Sequence, residues 1–252
     1  MLEVRRLSKS FGGVKAADDI TLDFADGSLT AVIGPNGAGK STFFNLITGA
    51  LRPDSGQVLL DGADMAGRSP PEIVRHGIGR AFQVASIFPS LTVEETMLAA
   101  VGADQRRASV IHRRFPLPET RDRADHVMEL LGLASKRDRK AATLSHGDQK
   151  LLDIALALVL EPKVLLLDEP TAGMGTEERW RMIEKVRELW EKQKITVVFI
   201  EHDMDIVFRI APSIVVLCYG RILATGTADA IRNDKAVIDA YLGTDHHAGT
   251  VA

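Results

Sequence analysis

The sequence predicts an α/β fold: a parallel sheet flanked by helices, with an N-terminal antiparallel β subdomain and an inserted α-helical subdomain. Three observations predict it. Gly34-Pro35-Asn36-Gly37-Ala38-Gly39-Lys40-Ser41-Thr42 follows the apolar run at 29–33 and precedes a helical pattern with Phe43, Phe44, Leu46 and Ile47. A strand, a glycine-rich loop and a helix therefore come in succession. The apolar runs at 164–167 and 195–200 do not alternate with polar residues, as expected for parallel strands buried on both faces. Between about 92 and 160, by contrast, strand alternation disappears and the pattern is mostly helical.

Residues 2–7, 20–24 and 29–33 read as short strands divided by turns at Gly12-Gly13 and Asp26-Gly27. The helix after the glycine-rich loop runs from Lys40 to about Thr48. A turn at Pro53-Asp54-Ser55-Gly56 leads to a strand at 57–60, which ends at Asp61-Gly62. Pro70-Pro71 opens a short helix, because proline fits a first helical turn, and 78–82 forms the next strand. The helical stretch is interrupted at 102–118, where Arg106-Arg107 and Arg113-Arg114 make a basic, solvated loop. From Lys163 strands and helices alternate again: a strand at 164–167, a helix at 176–192, a strand at 195–200 and a short helix at 203–210. Paired strands at 214–217 and 221–224 flank Tyr219-Gly220. Two short helices follow, and 244–252, with His246 and His247, reads as a flexible tail. Residues 1–243 thus read as one domain.

Of the 252 residues 45% are hydrophobic, enough for a sizeable core. A net charge of -3 and a pI near 6.2 argue against general nucleic-acid binding. The one cysteine, Cys218, sits in an apolar run and is expected as a buried strand thiol, which suits a reducing compartment. The N-terminus lacks the apolar core of a signal peptide. The longest apolar run, around 154–160, ends at Glu161 and falls short of the ~18 residues of a spanning helix. The chain is expected to be soluble alone, with any membrane role reached through a partner.

The glycine-rich loop carries chemistry. Its glycines let backbone N–H groups point at phosphate oxygens; Lys40 adds a point charge for the outer phosphates, and Ser41 offers a hydroxyl to a magnesium ion. The helix that starts near Lys40 aims the positive end of its dipole at the same anion. The strand at 164–167 delivers Asp168 and Glu169 to the ligand edge of a parallel sheet. There Asp168 would hold the magnesium shell and Glu169 would polarise an attacking water. Leu144-Ser145-His146-Gly147-Asp148-Gln149 precedes another helical pattern: Ser145 is a natural N-cap, and the same N-terminus could grip a phosphate.

The last segment resembles the LSGGQ signature of ATP-binding cassette (ABC) ATPases, with His146 in the first glycine position and Asp148 in the glutamine position. The order of phosphate loop, Gln83, signature, carboxylate strand and His202 is similar to that family across nearly the whole chain. The Asn-Lys-x-Asp motif of GTPases is absent. The resemblance implies a P-loop NTPase core with a helical subdomain at about 92–160, and ATP with Mg2+ as ligands. It implies that Gly34, Asn36, Gly37, Ala38, Gly39, Lys40, Ser41 and Thr42 bind nucleotide. Phe11 is placed like the aromatic residue that stacks on adenine. Ser145 and Gly147 would contact the nucleotide of a facing subunit. Gln83 matches the glutamine that touches magnesium and water, and His202 matches the switch histidine at the terminal phosphate. Gly175 stands where the family typically has an aspartate that bridges subunits. The implied assembly is a head-to-tail dimer with an identical or paralogous subunit, bound to membrane permease subunits and served indirectly by a substrate-binding protein.

Shorter features resemble the importer branch for branched-chain and other hydrophobic amino acids, which includes urea systems. They are Ser10-Phe11-Gly12-Gly13, the extended segment from Gln83 to Leu144, Thr171-Ala172-Gly173-Met174, Glu201-His202-Asp203-Met204 and Ala240-Tyr241-Leu242-Gly243. Residues 84–93 would form much of the groove for a permease coupling helix, at the cytoplasmic face of the inner membrane. The alternative class is a soluble cassette ATPase acting on nucleic acid or ribosomes. Such relatives usually carry tandem cassettes, a long coiled coil or a strongly basic face, none of which is seen here. A non-hydrolysing nucleotide sensor is disfavoured by the intact Asp168-Glu169 pair.

Overall fold

The computed structural model describes residues 1–81, 88–103 and 118–242. Gln83, residues 84–87 of the expected coupling groove, the basic loop at 106–114 and the tail at 244–252 lie outside the described residues. Leu2–Phe11 (β1) and Val14–Phe24 (β2) form an antiparallel hairpin. Its turn places Gly12 and Gly13 at φ 51° and 90°, the positive values that a two-residue hairpin turn requires. Both strands run further than alternation suggests, and the reason is irregular pairing. The register shifts between Val4 and Leu7 and again at Lys9 and Ser10, with Arg6 and Asp19 at positive φ. Such bulges keep the ladder while breaking the period-2 pattern.

Leu29–Ile33 (β3) follows, buried at every residue, then Lys40–Ile47 (α1), Ser55–Leu60 (β4), Ala63–Asp64 (β5), Pro70–His76 (α2) and Ile78–Ala81 (β6). The helical stretch resolves into Val93–Ala103 (α3), Pro118–Leu131 (α4) and His146–Leu158 (α5). Between α4 and α5 the chain makes 3-10 turns at Ala134–Lys136 and Ala141–Thr143. Val164–Asp168 (β7), Thr176–Gln193 (α6), Thr196–Ile200 (β8), Met204–Ile210 (α7), Ser213–Cys218 (β9), Arg221–Gly226 (β10), Ala228–Arg232 (α8) and Lys235–Leu242 (α9) complete the order.

The chain divides into two compact units, Met1–Ile73 with Ile195–Ala252, and Val74–Lys194. The first holds the antiparallel sheet β2-β1-β4-β5. It also holds the strands β8, β3 and β9, all parallel, with β10 antiparallel on β9. Its core includes Phe24, Phe43 and Phe44, with successive ring centroids 6.5 Å apart. Each such ring contributes about 2–3 kcal/mol by leaving water. Cys218, at the end of β9, is half-buried rather than buried as its apolar surroundings suggested.

In the second unit β6 and β7 pair in parallel, with Ile78 opposite Val164 and Ala81 opposite Leu167. Helix α5 packs on both strands and on α3, α4 and α6. The buried residues of α4 (Thr120, Ala124, Val127, Met128 and Leu131) recur at helical spacing and define one apolar stripe. Met182, Ile183, Val186 and Leu189 do the same for α6.

Candidate functional site

The phosphate loop spans Gly34 to Gly39 between β3 and α1. A Cβ on Gly34 would lie 2.0 Å from the Leu217 carbonyl oxygen, and one on Gly39 would lie 2.2 Å from that of Ala16. Glycine is thus required by close backbone approach as well as by positive φ, 150° and 101° respectively. Ala38 accepts a hydrogen bond from the Gly220 N–H at 2.9 Å, and Gly220 in turn accepts one from the Asp18 N–H at 2.8 Å. The turn after β9 and the start of β2 therefore clamp the loop.

Helix α1 begins at Gly39 with no side-chain cap and no acidic residue in its first turn. A cation, Lys40, occupies that turn instead, against the helix dipole. Orphan N–H groups beside a cation make an anion site. Lys40 is buried, and its ammonium donates to the carbonyls of Gly34 at 2.7 Å and Pro35 at 3.0 Å. Asn36, Gly37 and Ser41 are exposed, Thr42 half-buried and Ala38 buried. Phe11 ends β1 at 46% exposure, with Lys9 Nζ 5.7 Å from its ring centroid. It is therefore a surface ring and not a core one. His202 is exposed just after β8. Its N–H donates to the buried Glu201 carboxylate at 3.1 Å, and Asp203 caps α7 directly behind it.

In the second unit Asp168 closes β7 at 5% exposure. Glu169 follows at φ 47°, a left-handed conformation that an ordinary residue adopts only when its surroundings impose it. Ser145 is the N-cap of α5, accepting the Asp148 N–H, and Gly147 is buried in the first turn. A Cβ on Gly147 would meet Glu178 Oε1 at 2.4 Å, and one on Gly173 would lie 3.3 Å from His146 Cε1. The Glu178 and His146 side chains thus lie close against the backbone at Gly147 and Gly173.

Sequence reasoning missed two partners. Arg80, in β6, donates to Asp168 Oδ2 at 2.6 Å, with both side chains at most 10% exposed. An arginine inside a buried strand was the available signal, because such a charge needs a partner. Lys136 pairs with Asp148 at 2.5 Å; nothing in the spacing pointed to it, since it reaches across from a 3-10 turn. For magnesium, the Ser41 hydroxyl and the Asp168 carboxylate are hard oxygen donors of the right kind. Among the described residues no group of three or more His, Cys, Asp or Glu side chains gathers as a metal cage.

Comparison with known proteins identifies the family. The family profile described as ABC transporter matches residues 17–172, and that described as branched-chain amino acid ATP-binding cassette transporter matches residues 221–247. The chain is 37% identical to the high-affinity branched-chain amino acid transport ATP-binding protein LivG of Escherichia coli K12, over 96% of this chain and 98% of that protein. It is 36% identical to the corresponding protein BraF of Pseudomonas aeruginosa, over 96% and 98%. Among solved structures it resembles a nucleotide-free ATP-binding cassette from an ABC transporter, with a TM-score of 0.83 and 33% identity over 96% and 98% of the two chains. It also resembles the ADP conformation of an ATP-binding cassette of an ABC transporter, at 0.84 and 34% over the same shares. The chain belongs to the ATP-binding cassettes of ABC transporters and is, as such, an ATPase subunit.

Proposed function

We propose that this chain hydrolyses ATP to power an importer of branched-chain or other amino acids or of a related small solute. The phosphate loop carries the reading: a glycine-locked backbone, an uncapped helix N-terminus and a buried lysine converge on one anion position. The names of the relatives supply the cargo class. Residues 1–243 act as one ATPase domain, with about 92–160 as its helical subdomain. The chain pairs head to tail with an identical or paralogous subunit at the cytoplasmic face of the inner membrane. Permease subunits hold it there, since no helix among the described residues is long and apolar enough to cross a membrane, and a substrate-binding protein delivers the cargo.

In this reading residues 34–42 cradle the triphosphate and Phe11 carries the base. Ser41, Asp168 and Gln83 hold Mg2+, which neutralises charge on the phosphates when bound. Glu169 orients the attacking water and accepts its proton, and His202 contacts the terminal phosphate. Ser145 and Gly147 of the facing subunit close over it. Shared charge on the triphosphate draws two helix N-termini together, and hydrolysis removes that attraction.

Glu169→Gln keeps size and polarity but removes the base. It is expected to abolish steady-state turnover while ATP still drives association of two subunits. Phosphate release by a clean preparation of this variant at the wild-type rate would sink the assignment.

A further inference from the structure

The hydroxyl of Ser145 has one proton to give. Asp148 Oδ2 lies 2.8 Å from Ser145 Oγ. A carboxylate only accepts, so that proton goes to Asp148, while Ser145 Oγ accepts the Asp148 N–H at 3.2 Å. Lys136 Nζ holds the other carboxylate oxygen at 2.5 Å. In an ordinary capping box the residue three places on reaches the backbone N–H of the N-cap. The shorter Asp148 stops at the hydroxyl instead. Burial pushes its carboxyl up, but the hydrogen bonds from Lys136 and Ser145, with the charges of Lys136 and Arg139, outweigh this and hold it below the usual range. The group is thus an anion at neutral pH, in the position where the family signature has a neutral glutamine.

We propose that Asp148 is a positioning residue of the signature, which takes the Ser145 proton and thereby sets how tightly Ser145 grips the terminal phosphate on the facing subunit. The inference rests on the head-to-tail reading above. A phosphate oxygen also only accepts, so it competes with Asp148 for a single proton, and the two anions repel. Lys136 offsets the repulsion by neutralising Asp148. The pair forms a brake on closure: Asp148 applies it and Lys136 weakens it.

The test uses the purified full chain carrying Glu169→Gln, with light scattering to read the ATP concentration at half-maximal association. Adding Asp148→Gln is expected to lower that concentration about tenfold, the order of one charged hydrogen bond. Adding Lys136→Gln is expected to raise it several-fold. In a Ser145→Ala background most of the Asp148→Gln gain should vanish, which loss of a helix cap alone would not produce. Thermal melts without nucleotide report the cap separately. If the parent associates with ATP but Asp148→Gln leaves its threshold unchanged or raises it, the proposal is overturned and the two-subunit reading stands. If the parent does not associate with ATP, that reading fails and the proposal fails with it.

Discussion

At the scale of single residues, the phosphate loop is defined as much by what cannot be added as by what is present. Gly39 leaves no room for a methyl group, because the obstruction is a backbone carbonyl and not the end of a flexible side chain. Gly39→Ala is therefore expected to cost at least about 2 kcal/mol in folding stability, combining the clash with a strained positive φ. A urea titration matching wild type would contradict this. Lys40→Ala should leave the fold in place but weaken nucleotide binding at least tenfold by equilibrium titration. Its ammonium is the one charge that the loop itself brings to the anion.

The Arg80–Asp168 pair gives a sharper residue-scale test. Arg80→Met would leave the Asp168 carboxylate buried beside an apolar chain, at a cost of about 3–5 kcal/mol. Adding Asp168→Asn removes the stranded charge and should recover much of that loss, so the two changes will be strongly non-additive in urea unfolding. Additive losses would show that the pair is not coupled. Asp168 was legible in the sequence as an acidic residue ending an apolar strand. Its partner was not, because Arg80 comes within reach of Asp168 only once β6 pairs with β7 and sets it opposite Leu166.

Helix α5 shows the same division at the scale of an element. Its start was legible because Ser145 precedes the helical pattern and caps it. The Lys136 contact was not, since it depends on how the turns at Ala134–Lys136 and Ala141–Thr143 fold back. β1 and β2 were shortened in the sequence reading for a related reason: a bulge erases alternation without ending a strand. The acid response of α5 follows from its cap. The Asp148 carboxyl is held low, so its contribution to stability is fully present above the ordinary carboxylate value of about 4 and is lost as pH falls through the lowered one. Wild type should therefore lose more stability than Asp148→Asn between pH ~5 and ~3. Parallel acid limbs in chemical denaturation would contradict this.

Considered as a whole, the chain returns to where its chemistry begins. Helix α9 ends the described residues, and its Tyr241 hydroxyl is hydrogen-bonded by the Gly34 backbone at the entrance to the phosphate loop. Ala240-Tyr241-Leu242-Gly243 could be read in the sequence only as a family likeness, because about 200 residues separate Tyr241 from Gly34. Burial pushes the Tyr241 phenol up to about 12, against the lowering effect of the Gly34 bond. An acid whose folded value lies above its ordinary value of about 10 stabilises the fold fully below pH ~10 and loses that contribution as pH rises toward ~12. Tyr241→Phe removes both the hydroxyl and its titration. It should cost about 1 kcal/mol at neutral pH through the orphaned Gly34 N–H, yet show a shallower alkaline loss than wild type above pH ~10. Urea titrations at pH 7 and pH 11 read both effects. A variant as stable as wild type at pH 7, with the same alkaline slope, would mean that α9 lies against the loop without supporting it.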